Sequence, residues 1–252
     1  MTDWSALHNE LKEWERAGQT FPLWWRDDDA IADTPALRAL ADTSLRAGLP
    51  VHIAVIPAHA DALLALCLST RAHVIPLVHG WAHENHAPPD QKKAEFGAHR
   101  PLDALSSDAD RGFGKLHGLF GSRLQPVFVP PWNRISDDLI PVLPKLGFRA
   151  LSTATPRKTV WAAVGLKQIN THIDPIDWKG TRSLIDEAVL IDRITRLLQD
   201  RRSGKTDRSE PLGLLTHHLV HDPAIWSFCE RLVDLFLSGP GRPWQISEGE
   251  LS

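Results

Sequence analysis

Apolar residues recur along the chain in two rhythms. Where they return every three or four positions they mark helices, and where they run together for five to eight they mark buried strands. The first helical stretch carries Trp4, Leu7, Leu11 and Trp14 on one face and stops at Gly18. FPLWW (21–25) reads as a buried strand, and RDDDA (26–30) as the loop at its end. Thr34 before Pro35 is an N-cap with proline at the first helical position, and that helix closes at Gly48. VHIAVIP (51–57) is a strand, ADALLALCLST (60–70) a helix and HVIPLVHG (73–80) a strand, followed by a polar loop from Trp81 to about Arg100. The helical rhythm resumes from Leu102 to Phe120, weakened by Gly112 and Gly114.

In the second half, QPVFVPPW (125–132) is a strand that Pro130 terminates. Ser136 is placed to cap a helix reaching Gly147, RALST (149–153) is a strand, and another strand ends near His172–Trp178. A long helix is expected from about Ser183 to Gln199, then a charged connection, RRSGKTDRSEP (201–211), the strand GLLTHH (213–218) and a last long helix opened by Pro223. Strands alternating with helices imply a parallel sheet with ligands at the strand C-terminal ends. The expected fold is α/β: a distorted (β/α) barrel of about seven parallel strands with an N-terminal helical extension. One domain over 1–252, its core at about 20–240, accounts for the length.

Composition narrows the partners. A net charge of −3 over 252 residues gives no reason to expect nucleic acid or an anionic membrane. Cys67 and Cys229 sit in apolar helical patterns and read as buried thiols, not a disulfide. The opening segment lacks a basic stretch followed by an apolar run, and no run approaches the length of a membrane span, so a cytoplasmic location is expected. Thirteen histidines and no tyrosine hint at metal or acid–base work.

Asp27–Asp28–Asp29, His79 with His83, Pro130–Pro131–Trp132, Asp174 with Asp177, and His217 each follow an expected strand. In a parallel barrel those ends converge on one mouth. Three adjacent carboxylates repel one another unless a cation is present. His79 and His83, four apart, share a face on a helical turn and can grip one ion, with His73 and His86 as neighbouring competitors. Two imidazoles and one carboxylate form a ligand set with open positions for water.

The ordered set RDDDA, HGWAH, VPPW, DPIDW and LLTHH resembles the five motifs of the polysaccharide deacetylase (NodB-homology, carbohydrate esterase) family, which read roughly T-F-D-D-G, H-S/T-x-x-H, R-x-P-Y, D-x-x-D-W and L-x-H. The five fall in order between Trp25 and His218. The resemblance implies a distorted (β/α) barrel and a hydrolase that removes acetyl groups from N- or O-acetylated carbohydrate. It implies one divalent ion, zinc in the first place, with cobalt, manganese or nickel as alternatives. By the same carry-over Asp27 is the base, and Asp28 is the metal ligand with His79 and His83; Asp28 and Asp29 are the alternative pair. His217 is the acid, with His218 and His221 as alternatives. The Trp132 backbone N–H supports the oxyanion, because the prolines before it have none.

Two departures stand out. The family's third-motif arginine is Val129 here, so Arg26 or Arg134 is expected to pair with one of the carboxylates, Asp27 or Asp174 first. The first-motif glycine is replaced by Asp29 or Ala30. With no export signal expected, an amidohydrolase acting on a small non-sugar amide is the alternative enzyme, and a metal- or sugar-binding module without activity is the non-enzyme alternative.

Overall fold

The strand expected to stop at Trp25 runs on through the acidic cluster. In the computed structural model, which describes residues 2–251, β1 spans Phe21–Ala30. It lies between two other buried strands, β2 (Val51–Val55) and, later in the chain, β8 (Leu212–Thr216). Then come β3 (Val74–His79), β4 (Val127–Val129), β5 (Ala150–Leu151), the hairpin of β6 (Trp161–Ala163) and β7 (Leu166–Gln168), and β9 (Gly241–Pro243). The hydrogen-bonded order is β6-β7-β5-β4-β3-β2-β1-β8, with β9 against the start of β1. Every pairing is parallel except that of β6 with β7.

The ladder also returns on itself. Past β7, Thr171 bridges to Ala154 beside β5, while Ile173 bridges to Leu214 of β8. The His172 and Ile173 amides donate to the Gly213 carbonyl at 2.8 and 3.0 Å, and Leu215 N–H donates to Ile173 O at 2.8 Å. The parallel strands β1, β2, β3, β4, β5, β7 and β8 thus form a distorted barrel.

Helices cover it: α1 (Ser5–Arg16), α2 (Pro35–Ala47), α3 (Ala62–Ser69), α4 (Leu102–Phe120), α5 (Glu187–Arg202), α6 (Pro223–Ser238) and the short α7 (Glu248–Leu251). Their starts follow side-chain capping. Thr34, Asp61, Asp186 and Asp222 each accept the backbone N–H three residues on, at 2.9–3.1 Å. The capped start at Asp186 places α5 a few residues later than Ser183. The segment 136–147 holds only a 3-10 turn at Leu143–Leu146 in place of the expected helix. Pro141 and Pro144 remove the amide donors a helix would use there. The N-terminal helix α1 is no loose extension: Leu7, Leu11 and Trp14 are buried, and Glu10 accepts both Nε and Nη2 of Arg202 on α5, at 2.7 and 2.9 Å.

Strand alternation sorts the core into two compartments. Trp24, Ala54, Leu77, Val127, Val129, Ala150 and Ile169 pack together inside the barrel with Ile246 and Leu251. A larger outer layer joins the strands to the helices. Each fully buried large side chain contributes about 1.5–3 kcal/mol by leaving water. The segment holding Trp244 and Ile246 closes the end near Phe21–Leu23, with Trp244 N–H bonded to Leu23 O at 2.8 Å. The mouth at the other end is where Asp27–Asp29 lie. Both cysteines are free; Cys229 is buried but Cys67, expected to be buried, is only partly so. Among the described residues, no helix is long and apolar enough to cross a membrane.

Candidate metal centre

Alternation along β1 divides the acidic run. Trp25 and Asp27 face the outer layer. Trp25 Nε1 donates to Thr216 Oγ1 at 2.8 Å, and Thr216 Oγ1 donates to Asp27 Oδ2 at 2.5 Å. Asp27 also accepts His218 N–H at 3.1 Å, and its Oδ1 lies 2.5 Å from His218 Nδ1. Asp27 and His218 are both buried. Burial pulls the His218 pKa down, but the charge and hydrogen bond of Asp27 outweigh it and raise it. Asp27 is therefore fully engaged behind the strand, tying β1 to β8.

Arg26 and Asp28 share the opposite, inner face. Arg26 is wholly buried, with Nε 2.8 Å from Asp28 Oδ1 and Nη2 donating to Asp28 Oδ2 at 2.9 Å. Its remaining donors reach Asn133 Oδ1 at 2.7 Å, Ser152 Oγ at 2.8 Å and Thr153 O at 3.3 Å. A buried guanidinium needs such a set of acceptors to offset its lost hydration. Val129, at the motif's arginine position, is packed in the inner core. Arg134 instead donates to the Lys93 carbonyl at 2.5 Å.

Asp29 breaks the alternation. Its φ is 71°, and the register of β1 against β2 shifts between Asp27 and Ala30. This bulge turns the third carboxylate into the mouth. There Asp29 Oδ1 lies 3.1 Å from His79 Nε2 and 3.3 Å from His83 Nε2. Ligand atoms of Asp29, His79 and His83 all lie within 4.8 Å of one another. His79 comes from the last position of β3. Its Nδ1 donates to the Val129 carbonyl at 2.9 Å, which leaves the Nε2 lone pair facing Asp29. A lone pair and a carboxylate oxygen face each other comfortably only with a cation between them, so the donor set fits a divalent metal.

Without an ion, a proton on His79 Nε2 takes the place of that cation. Burial acts to raise the Asp29 pKa, yet the His79 hydrogen bond and the charges of His79, His83 and His217 hold it well below the usual carboxylate range. Burial likewise acts against a charged His79, but Asp29 and Asp28 raise it, while burial and His79 together lower His83.

The remaining expected residues stand round the same mouth. Trp132 and Asn133 both have φ of 56°, and the Trp132 ring lies 4.3 Å from that of His83. Asn133 and Arg134 amides are taken by the Pro130 and Pro131 carbonyls, whereas Trp132 N–H has no acceptor among the described residues. His217 is buried, 4.7 Å edge-on from the Trp178 ring, with Nδ1 unpartnered among the described residues. It is close enough to Asp29 and Asp174 for its charge to act on both. Asp174 accepts Trp178 Nε1 at 2.8 Å, and burial pushes its pKa up against the pull of His217.

Of the two acidic registers the sequence leaves open, the geometry matches the second. Asp28 does not join the histidines; Asp29 does. Asp27 lies on the far face of the strand. The expectation treated RDDDA as a loop, where alternation has no force. Asn133, Ser152 and the Asp27–His218 pair were not singled out for these contacts.

No family model matches the chain, and no curated protein matches it significantly. Solved structures do. A family 4 carbohydrate esterase from Streptomyces lividans, in complex with acetate, superposes with a TM-score of 0.57 at 14% identity, covering 90% of this chain and 93% of that one. The chain has the fold of the family 4 carbohydrate esterases. A putative polysaccharide deacetylase from Mycobacterium smegmatis gives the same TM-score and identity over 92% of this chain and 95% of that one. A mutant of a family 4 pseudoenzyme gives 0.58 at 11% identity, over 93% of this chain and 68% of that one. The carbohydrate esterase fold is thus shared with a protein described as a pseudoenzyme, so function rests on this chain's own residues.

Proposed function

We propose that this protein is a metal-dependent hydrolase that removes an acetyl group from an N- or O-acetylated carbohydrate. The observation that carries the reading is the convergence of Asp29, His79 and His83 beside the buried Arg26–Asp28 pair. Asp29, His79 and His83 hold the ion, zinc in the first place. When bound, the ion supplies Lewis acidity, making a water more acidic and drawing electron density from the acyl carbonyl. Asp28 takes the proton of the attacking water, with Arg26 fixing its orientation. The free N–H of Trp132 donates to the oxygen that gains negative charge. His217 gives a proton to the departing nitrogen or oxygen. Asp174 supports that histidine by charge.

The nature of the fold's relatives, an esterase with acetate and a putative polysaccharide deacetylase, supports an acetylated glycan as substrate. The test combines elemental analysis of the purified protein with a screen for acetate release from acetylated oligosaccharides and small non-sugar amides. One equivalent of metal and acetate from the oligosaccharides is expected. Acetate from the small amides alone would replace the substrate class, and a metal-loaded protein inert on both would favour a binding module.

A further inference from the structure

The loop from Trp81 to Arg100 contains one buried acid that the reaction scheme does not use. Glu95 is 1% exposed. Its Oε1 accepts Ala82 N–H at 2.7 Å and its Oε2 accepts Trp81 N–H at 3.2 Å. Both amides belong to the turn that runs from His79 to His83.

Successive backbone N–H groups after a left-handed residue form a concavity suited to an anion. Gly80 has φ of 54° and starts such a turn. A Cβ at Gly80 would lie 2.4 Å from Glu95 Oε2 and 2.6 Å from the Pro131 ring, so glycine there leaves room for the carboxylate. Glu95 itself is held from both sides. Its carbonyl accepts Arg100 Nη1 at 3.1 Å, and Arg100 Nη2 bonds Asp108 of α4 at 2.6 Å. Phe96 bridges to Ile135, with Ser136 N–H donating to Phe96 O at 2.7 Å. The Trp81 carbonyl accepts Ala58 N–H at 2.8 Å on the other side of the turn.

We infer that Glu95 is a positioning residue for the metal centre: its carboxylate clamps the Trp81 and Ala82 amides and so presets the turn that delivers His83 to Asp29 and His79. His83 has φ of 58°, which a non-glycine residue keeps only where the surroundings fix it. Without the clamp the turn relaxes, and the third ligand must be ordered by the ion itself. The inference rests on the metal reading above, and it explains why the loop carries a buried acid behind the ligands.

The test is a competition titration of zinc against a chromophoric chelator, with metal-free wild type, Glu95→Gln and Glu95→Asp. Glu95→Gln turns an amide NH2 toward one of the two N–H donors, and Glu95→Asp withdraws the carboxylate by one methylene. Both variants are expected to bind zinc about 10- to 100-fold more weakly, the usual loss for a group supporting a ligand. The thermal midpoint of the metal-free protein should stay near that of wild type in at least the Asp variant, a result that mere loss of folding would not give. Wild-type affinity in either folded variant overturns the clamp while leaving the metal reading in place. No zinc uptake by wild type overturns the metal reading and the clamp with it.

Discussion

Arg26 grips Asp28 from two positions away on the same strand, with Nε 2.8 Å from one carboxylate oxygen and Nη2 2.9 Å from the other. Residues i and i+2 of a strand face the same side, so the sequence R-D-D places cation and carboxylate together on the barrel's inner face. The resembling family draws its arginine from the third motif. Here Val129 fills that position with inner-core packing, and the buried arginine beside the acidic run is Arg26 of β1. On the proposed reading Asp28 is the base and must be held rigidly, and Asn133, Ser152 and Thr153 complete the hold on Arg26.

Replacing Arg26 with Leu should be costly for that reason. The Asp28 carboxylate would stay buried without its cation, a loss of about 3–5 kcal/mol. Chemical denaturation measures it. The double variant Arg26→Leu/Asp28→Leu should be less destabilised than Arg26→Leu alone, because no charge is stranded. A single variant as stable as wild type would mean that the pair is not buried as described.

His217→Ala should cut turnover on an acetylated amine by about 10²- to 10⁴-fold, the range of general acid–base catalysis, with zinc content unchanged. An activated aryl acetate, whose leaving group needs little protonation, should lose much less. Equal losses on both substrates would remove His217 as the acid and bring forward His221, whose ring lies 6.0 Å away.

Part of the acid sensitivity should come from the opposite end of the barrel. His52 Nδ1 donates to the Trp25 carbonyl at 3.0 Å and Nε2 accepts Ile246 N–H at 3.1 Å, so the ring is built in neutral. Burial, opposed by the Trp25 carbonyl, lowers its pKa to about 4. The unfolded chain therefore takes up this proton first. The stability from a neutral His52 is complete above about pH 6.5 and is lost as pH falls from 6.5 through 4. With about 1.4 kcal/mol per pKa unit, the loss is on the order of 3 kcal/mol. Thermal midpoints between pH 7 and pH 4 should show a decline that His52→Gln flattens. An unchanged slope in that variant would assign the acid limb to other groups.

Much of this was legible in the sequence because strong local signals agreed with the fold. The apolar runs of β1, β2, β3 and β8, the cap at Thr34 and the helix opened by Pro223 read correctly as elements, whereas His79 and His83 meet across the end of β3 and a bend, not on the expected helical turn. What escaped depended on detail that spacing does not carry. Whether 26–30 is strand or loop decides which carboxylate faces which way, and only pairing with β2 and β8 extends the strand through them. The bulge that turns Asp29 inward leaves no mark in RDDDA. The helix expected at 136–147 ignored Pro141 and Pro144. The β6–β7 hairpin is three residues a side, with exposed Trp161 and Val164, and so lacks the apolar run that marks a strand.

The central claim is that Asp29, and not Asp28, completes the metal site with His79 and His83. Zinc stoichiometry of Asp28→Asn and Asp29→Asn, measured side by side by elemental analysis after exhaustive dialysis, tests it most directly. The account predicts that Asp29→Asn loses stoichiometric zinc, while Asp28→Asn keeps one equivalent and releases no acetate. Full zinc in Asp29→Asn, with loss in Asp28→Asn, would contradict it.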